Sequence, residues 1–114
     1  MGTAASFSRP SSVAFLPSGL LVIADLGSHA LRTVNATDGS VATPVGLPPA
    51  AFADGALAAA RFSGPNWAAV NPATGALAVA DLSNNRLRTV DFLGGRVATL
   101  AGSGLPAFGN GVGG

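Results

Sequence analysis

The chain of 114 residues contains no cysteine, which excludes disulfide bonds and thiolate metal sites and leaves the redox compartment open. Lysine, glutamate and tyrosine are absent as well. All side-chain charge comes from six arginine and five aspartate residues, and the formal net charge is +1. An excess of one positive charge does not indicate a nucleic-acid surface, so we expect no nucleic-acid partner.

Charged residues are few, at 10% of the chain, against about a quarter in typical soluble domains. Hydrophobic residues make up 48%, although much of this share is alanine. One small domain has too little interior to hide so much apolar surface. We therefore expect part of the surface to be covered by other copies of the chain or by further blades of a longer parent chain.

No hydrophobic run is long enough to span a membrane. The run over residues 13–24 imitates a signal-peptide core, but a Pro-Ser-Gly turn interrupts it and a similar run recurs inside the chain over residues 68–80. We therefore interpret it as part of the fold, with no signal peptide visible in this chain. The first residues also fit the N-myristoylation pattern at Gly2, a short pattern that arises easily by chance.

The sequence is a repeat. Residues 24–26 (ADL) and 31–34 (LRTV) recur 56 residues later, as residues 80–82 and 87–90. A fixed period of this size indicates stacked supersecondary units. Further pairs at the same offset are Ala51-Phe52 with Ala107-Phe108, and Asp54-Gly55 with Asn110-Gly111.

Each unit contains four short runs that favour strands, separated by turns rich in Pro and Gly. Such short turns make neighbouring strands antiparallel, so each unit is a four-stranded meander. The second run of each unit is apolar on both faces, which is typical of a sheet with layers on both sides. Stacked meanders of this kind form a β-propeller, and the sequence predicts an all-β fold of two blades. The predicted strands cover residues 12–15, 20–25, 31–35 and 40–45, then 66–70, 76–81, 86–91 and 96–101.

The segment between the units predicts one or two turns of helix over residues 54–62, with Asp54 as N-cap and Arg61 near the C-terminus. Trp67 has no aromatic counterpart in the first unit. It could be a binding anchor, but we favour packing against this helix. The expected organisation is a lead over residues 1–6, a first blade with connector over residues 7–58, and a second blade with the start of the next connector over residues 59–114.

In the second unit, Ala60-Arg61-Phe62 is followed by Pro65, residues 80–88 read ADLSNNRLR, and residues 99–102 read TLAG. These motifs resemble the NHL repeat family of β-propellers, and the first unit carries a more divergent version of them. The resemblance implies blades that close into rings, commonly of six, and it leaves function open between scaffolds, RNA-binding modules and enzymes. Two blades cannot close a ring. The chain is therefore expected to belong to a longer repeat protein, to a ring of several copies, or to an open array.

Asp25 and Asp81 each end an apolar strand. Carboxylates there could line a channel and bind a metal ion or a cationic partner. Because the residue occurs in both units, we favour a structural role, in which each carboxylate accepts backbone N–H groups of the turn that follows it. Asn84 is assigned to the same turn structure in the second unit.

Arg32, Arg86 and Arg88 form the most basic cluster, which could bind phosphate or RNA. We favour pairing of Arg32 and Arg88 with nearby aspartates. His29 is the only histidine and stands alone in a turn, which is rarely the setting of a metal ligand. Asn35 begins an N-x-[ST] sequon in a polar turn and is a glycosylation candidate, which slightly favours an extracellular or cell-surface location over other compartments.

The function predicted from these observations is a non-catalytic structural or protein-interaction module that assembles with further blades into a ring or fibre. The alternative is part of a six-bladed propeller enzyme, a lyase or hydrolase, with a central metal site. No catalytic residue, metal ligand or cofactor is assigned. The residues expected at the interface with other blades are Phe7, Phe15, Leu21, Ile23, Leu77, Val79, Val97, Leu100 and Phe108.

Overall fold

The computed structural model describes residues 4–111, which form two antiparallel sheets. The first sheet, blade 1, contains β1 (Pro10–Phe15), β2 (Leu21–Asp25), β3 (Ala30–Val34) and β4 (Val41–Val45) in sequential order. The meander follows from the short turns, because each brings the next strand back beside the previous one. The Gly2 lipidation candidate lies outside the described residues.

The second sheet, blade 2, repeats this meander and adds one short strand. Its strands β6 (Pro65–Val70), β7 (Leu77–Asp81), β8 (Arg86–Asp91) and β9 (Arg96–Ala101) lie in sequential order, and β5 (Gly55–Ala56) pairs with β9 at the edge. All eight predicted strands are confirmed, with ends that differ from the prediction by at most two residues. Among residues 4–111, no helix has the length and apolar composition needed to cross a membrane.

The turn after the second strand of each blade is a short 3-10 helix, Leu26–Ser28 in blade 1 and Leu82–Asn84 in blade 2. Each ends at a residue in the left-handed region, His29 with φ 54° and Asn85 with φ 52°. The outer strand of blade 1, β4, is followed directly by Gly46 (φ +84°), where a Cβ would stand 2.6 Å from the carbonyl oxygen of His29. Only glycine therefore allows the chain to leave the blade so close to this turn.

The predicted helix over residues 54–62 is wrong. The segment makes a single turn, in which the N–H groups of Ala59 and Ala60 donate to the carbonyl of Ala56, and β5 pairs with β9 just before it. Asp54 does not act as an N-cap, because its carboxylate binds side chains and backbone of blade 2. Alanine favours a helix only weakly, and pairing with an existing sheet edge outweighs that preference in so short a segment.

The hydrophobic core lies between the blades, where strands β1 and β2 pack against β6. Polar contacts join the same strands: Ser12 Oγ accepts from the N–H of Ala68 at 3.1 Å, and Ser11 Oγ donates to the carbonyl of Asn66 at 2.8 Å. The buried core residues are Val22, Ala24, Leu31, Val45, Ala60, Phe62, Ala68, Leu77, Val79, Val90 and Val97.

Each blade has a second face that the other blade does not cover. Side chains alternate along a strand, so the register defines both sets. The free face of blade 1 consists of Val13, Phe15, Leu21, Ile23, Arg32 and Val34, which are in register across β1, β2 and β3. The free face of blade 2 consists of Trp67, Ala69, Ala78, Ala80, Leu87 and Thr89, which are in register across β6, β7 and β8.

Candidate functional site

The most elaborate polar cluster surrounds the guanidinium of Arg88, which is 0% exposed. Its Nη1 donates to Asp81 Oδ2 at 2.7 Å and to the carbonyl of Arg61 at 3.1 Å. Its Nε and Nη2 donate to Asp54 Oδ1 at 3.0 and 2.7 Å, and Nη2 also reaches the carbonyl of Ala53 at 2.7 Å. The charge is thus buried between two carboxylates, which a buried arginine needs in order to offset its lost hydration.

The connector, residues 46–62, supplies most of these partners. It also places the rings of Phe52 and Phe62 at 4.6 and 5.0 Å from Arg88 Cζ, so that the guanidinium lies against two aromatic groups. Asp54 further accepts from both the N–H and the hydroxyl of Thr99 in β9, at 3.1 and 2.8 Å. The connector is therefore fastened to the face of blade 2 that meets blade 1.

Blade 1 carries the same pair in reduced form. Arg32 Nη1 donates to Asp25 Oδ2 at 3.2 Å and to the carbonyl of Ser6 at 2.8 Å, and Arg32 Cζ lies 4.9 Å from the ring of Phe7. These contacts correspond to those of Arg88 with Asp81, with the Arg61 carbonyl and with Phe62. The Arg32 side chain is 14% exposed, and both arginines pair with aspartates as the sequence predicts.

Within the described residues 4–111, the Nε of Arg32 has no hydrogen-bond partner, although it is out of contact with solvent. Its equivalent in blade 2, the Nε of Arg88, donates to Asp54. Among residues 4–111, blade 1 has no aspartate at that place, and no ring in the position of Phe52. The cluster around Arg32 is therefore an incomplete copy of the cluster around Arg88.

Two aspartates of these clusters have a lowered pKa. Burial by itself raises the pKa of Asp25, but hydrogen bonds from the N–H groups of Arg9 and Ser8, from the Ser28 hydroxyl and from Arg32 more than offset it. Burial likewise raises the pKa of Asp54, while hydrogen bonds from Thr99 and the charge of Arg88 bring it below its ordinary value. Both groups are thus held as carboxylates.

The backbone partners of Asp25 and Asp81 differ from those predicted. We expected donors in the turn that follows each aspartate. Asp25 instead accepts from the N–H groups of Ser8 and Arg9, and Asp81 accepts from the N–H of Ser63, in segments that precede the first strand of each blade. Each aspartate thus links the end of the second strand of its blade to the segment that precedes the first strand.

Asn84 belongs to the same cluster. Its Nδ2 donates to Asp81 Oδ2 at 2.7 Å and to the carbonyl of Ala51 at 2.9 Å, so that it links the turn of blade 2 to the connector. The predicted glycosylation candidate, Asn35, lies in the turn between β3 and β4, where its Oδ1 accepts from the N–H of Thr37 at 2.9 Å. His29 Nδ1 accepts from the N–H of Gly64 at 2.9 Å and so joins the turn of blade 1 to the entrance of blade 2.

The predicted interface residues are divided between the core and the surface. The assignment of Leu77, Val79 and Val97 to an outer face is wrong, because these side chains form the core between the two blades. Ile23 lies on the free face of blade 1 but is only 8% exposed, and Leu21 beside it is half-buried. The remaining four, Phe7, Phe15, Leu100 and Phe108, are exposed.

Sequence reasoning missed two residues. Trp67 does not pack on the connector; it is 61% exposed on the free face of blade 2. The role of Asp54 as a partner of Arg88 was missed as well. The available signal was that a similar polar residue, Asn110, stands at the same position of the next repeat.

Other parts of the described chain hold simple features. A cleft of about 210 Å³ lies where the turn after β1, with Leu16 and Pro17, approaches Phe92 and Leu93 of blade 2. Within residues 4–111, no three His, Cys, Asp or Glu side chains are grouped so that they would hold a metal ion. Arg86 contacts the ring of Phe52 at 3.8 Å and donates to the carbonyl of Ser103.

Comparison with known proteins supports the fold. No protein-family model matches the chain. Two crystal structures from Bacteroides thetaiotaomicron are similar, each at 23% sequence identity. One is a structural genomics protein of unknown function, with a TM-score of 0.73 over 80% of this chain and 23% of that one. The other is an auxiliary nutrient binding protein, with a TM-score of 0.63 over 79% of this chain and 25% of that one.

These two neighbours are β-propeller-like, and at this identity the likeness concerns the fold alone. The chain is therefore a β-propeller-like repeat protein. In sequence, the chain is also 45% identical over 53 residues to the protein suppressor of quenching 1, chloroplastic, from Arabidopsis thaliana. That match takes 46% of this chain and 5% of the plant protein. The chain thus spans a small part of each of these three proteins.

Proposed function

We propose that the chain is a non-catalytic structural or protein-interaction module built of NHL-like propeller blades. Its two free faces are covered by further blades, in other copies of the chain or in a longer parent protein. The NHL-like character rests on the ADLSNNRLR and TLAG motifs, which occupy the β7–β8 region and the end of β9.

The observation that carries this proposal is the correspondence between free and buried faces. Leu21 and Ile23 on the free face of blade 1 stand at the repeat positions of Leu77 and Val79, which blade 2 buries in the core. Conversely, Leu87 on the free face of blade 2 stands at the position of Leu31, a core residue of blade 1. Each free face is therefore the kind of surface that this fold covers with another blade.

The exposed side chains on these faces are large and apolar. Phe15 is 66% exposed on blade 1, and Trp67 is 61% exposed on blade 2. Burying one such side chain contributes about 1.5–3 kcal/mol, a considerable share of the roughly 5–15 kcal/mol that stabilises a small domain. Two blades with both faces in water give up that contribution, so we expect association.

Sedimentation velocity at several protein concentrations tests the proposal. We expect particles well above the 11.0 kDa of one chain. Phe15→Asp and Trp67→Asp, one on each free face, should each shift the distribution towards smaller particles. Leu93→Asp is the control, because Leu93 is an even more exposed apolar residue in the turn between β8 and β9 and belongs to neither free face. A monodisperse, cooperatively folded monomer of 11.0 kDa would contradict the proposal.

A further inference from the structure

The incomplete cluster around Arg32 defines what is needed to complete it. Within residues 4–111, the Nε of Arg32 is enclosed without an acceptor, and a buried donor left unpaired is destabilising. In blade 2, the Nε of Arg88 donates to the Asp54 carboxylate. The Arg88 guanidinium also lies against a second aromatic ring, that of Phe52. Arg32 therefore lacks one hydrogen-bond acceptor and one ring.

Both missing groups are delivered to Arg88 by one segment, the connector that leaves blade 1. Its Phe52 and Asp54 lie two positions apart, and Asp54 is anchored by Thr99 in β9. Blade 1 keeps the matching anchor, since Thr43 in β4 stands at the repeat position of Thr99. Blade 1 thus has a threonine where blade 2 anchors its connector.

The segment that follows β9, residues 105–111, matches the connector at its two key positions. Phe108 and Asn110 stand at the repeat positions of Phe52 and Asp54. Phe108 is 95% exposed and Leu105 is 68% exposed. An asparagine oxygen accepts the same hydrogen bond as a carboxylate oxygen, without its charge.

We propose that residues 105–111 of a second copy dock on the free face of blade 1, with Phe108 against the Arg32 guanidinium. The Asn110 Oδ1 accepts from Arg32 Nε, which requires the groups that now enclose this nitrogen to move aside. The inference rests on the proposed function and specifies its contact. The tail of one chain meets the first blade of the next, so the contact joins two different surfaces. Contacts of this kind close into a ring or continue as a fibre.

Disulfide trapping tests the contact, and the natural chain has no cysteine to interfere. Thr43→Cys chains and Asn110→Cys chains are prepared separately, mixed and oxidised. We expect a cross-linked dimer in the mixture, and none in either preparation alone. The internal pair Asp54→Cys with Thr99→Cys is the positive control, because these side chains bond within one chain at 2.8 Å.

A charge substitution provides a second measurement that does not depend on cysteine geometry. Asn110→Asp copies the natural Asp54 and should tighten association about tenfold, because hydrogen bonds to a charged group are stronger. The gain should vanish in the Arg32→Ala background. Asn71→Asp, at the opposite end of the sheet, is the matched control and should leave association unchanged.

The outcomes separate this inference from the proposed function. Assembly of the natural chain without cross-linking, and without a response to Asn110→Asp, overturns the tail contact and leaves blade-on-blade assembly standing. A tightening that persists in Arg32→Ala also overturns it, because another group then receives the carboxylate. A folded natural chain that stays monomeric overturns both.

Discussion

Arg88 and Arg32 stand at the same position in two copies of one repeat, and each pairs with the aspartate that ends the preceding strand. Arg88 is fully buried and all three of its nitrogens donate hydrogen bonds. The Arg32 side chain is 14% exposed, and its Nε finds no partner in the part of the chain that the structure describes. The two clusters have the same arginine–aspartate pair but different surroundings.

The difference comes from the connector that precedes each blade. For blade 2 that connector brings Phe52, Asp54 and the carbonyl of Ala53 onto Arg88. For blade 1 the described chain supplies Ser6 and Phe7 alone. The arginine and its aspartate thus prepare a site on each blade, and the preceding repeat completes it. A repeat protein can in this way make the stability of one unit depend on the presence of its neighbour.

The largest expected effect is the difference in unfolding free energy between alanine substitutions of the two arginines. Arg88→Ala leaves the buried carboxylate of Asp81 without its cation and removes the partner of the partly exposed Asp54, and we expect a loss of about 3–5 kcal/mol in the free energy of unfolding. Arg32→Ala leaves Asp25 with the N–H groups of Ser8 and Arg9 as donors, so it should cost less, about 2 kcal/mol. Urea unfolding at one fixed protein concentration measures both, since assembly contributes to stability. Equal losses would mean that the connector does not strengthen the second pair.

The sequence predicted the strands well because repetition and turn residues constrain them strongly. Pro72 and Gly75, or Pro17 and Gly19, permit a tight reversal and little else. The prediction of a helix in the connector failed because its residues constrain the local structure only weakly. Its alanines favour a helix by tenths of a kcal/mol per residue, and pairing of Gly55 and Ala56 with β9 outweighs that preference.

The site was only partly predictable. Opposite charges at neighbouring strand ends were enough to pair Arg88 with Asp81. Which face of each blade meets the other depends on how one meander stacks on the next, and that geometry is not written in strand periodicity. Leu77 and Leu21 have the same pattern around them, yet one is buried in the core and the other lies on a free face.

Acid should weaken the contact of Asp54 with Arg88, which holds the connector on blade 2, and the contact of Asp25 with the segment that precedes β1. Both carboxyls have a lowered pKa in the folded chain, so the unfolded chain binds their protons at higher pH. Their stabilisation is therefore complete above the unfolded pKa of about 3.9 and is lost as pH falls through the lower folded values. Unfolding free energies measured from pH 7 down to pH 3 should show this decline.

Asp54→Asn isolates the contribution of the connector. The variant keeps an acceptor but not the charge, and we expect a loss of about 1–2 kcal/mol at pH 7. The difference from the natural chain should narrow below pH 4, because a protonated Asp54 resembles the amide. A difference that stays constant down to pH 3 would show that the charge of Asp54 is not what holds the connector to Arg88.

The smallest expected effect concerns His29 and Asn85, the left-handed residues that end the 3-10 turns of the two blades. His29 accepts from the N–H of Gly64 at the entrance of blade 2, while Asn85, its counterpart, donates to the carbonyl of Gly104 at 3.3 Å. Asparagine also tolerates the left-handed region, but its side chain is shorter than that of histidine and reaches the Gly64 N–H less well. His29→Asn should therefore lower the free energy of unfolding by about 1 kcal/mol or less. Asn85→His should change the unfolding free energy by still less, because its bond to Gly104 is long. Thermal unfolding of both variants measures the difference, and a larger loss for Asn85→His would mean that this corner, not the junction at Gly64, depends on its side chain.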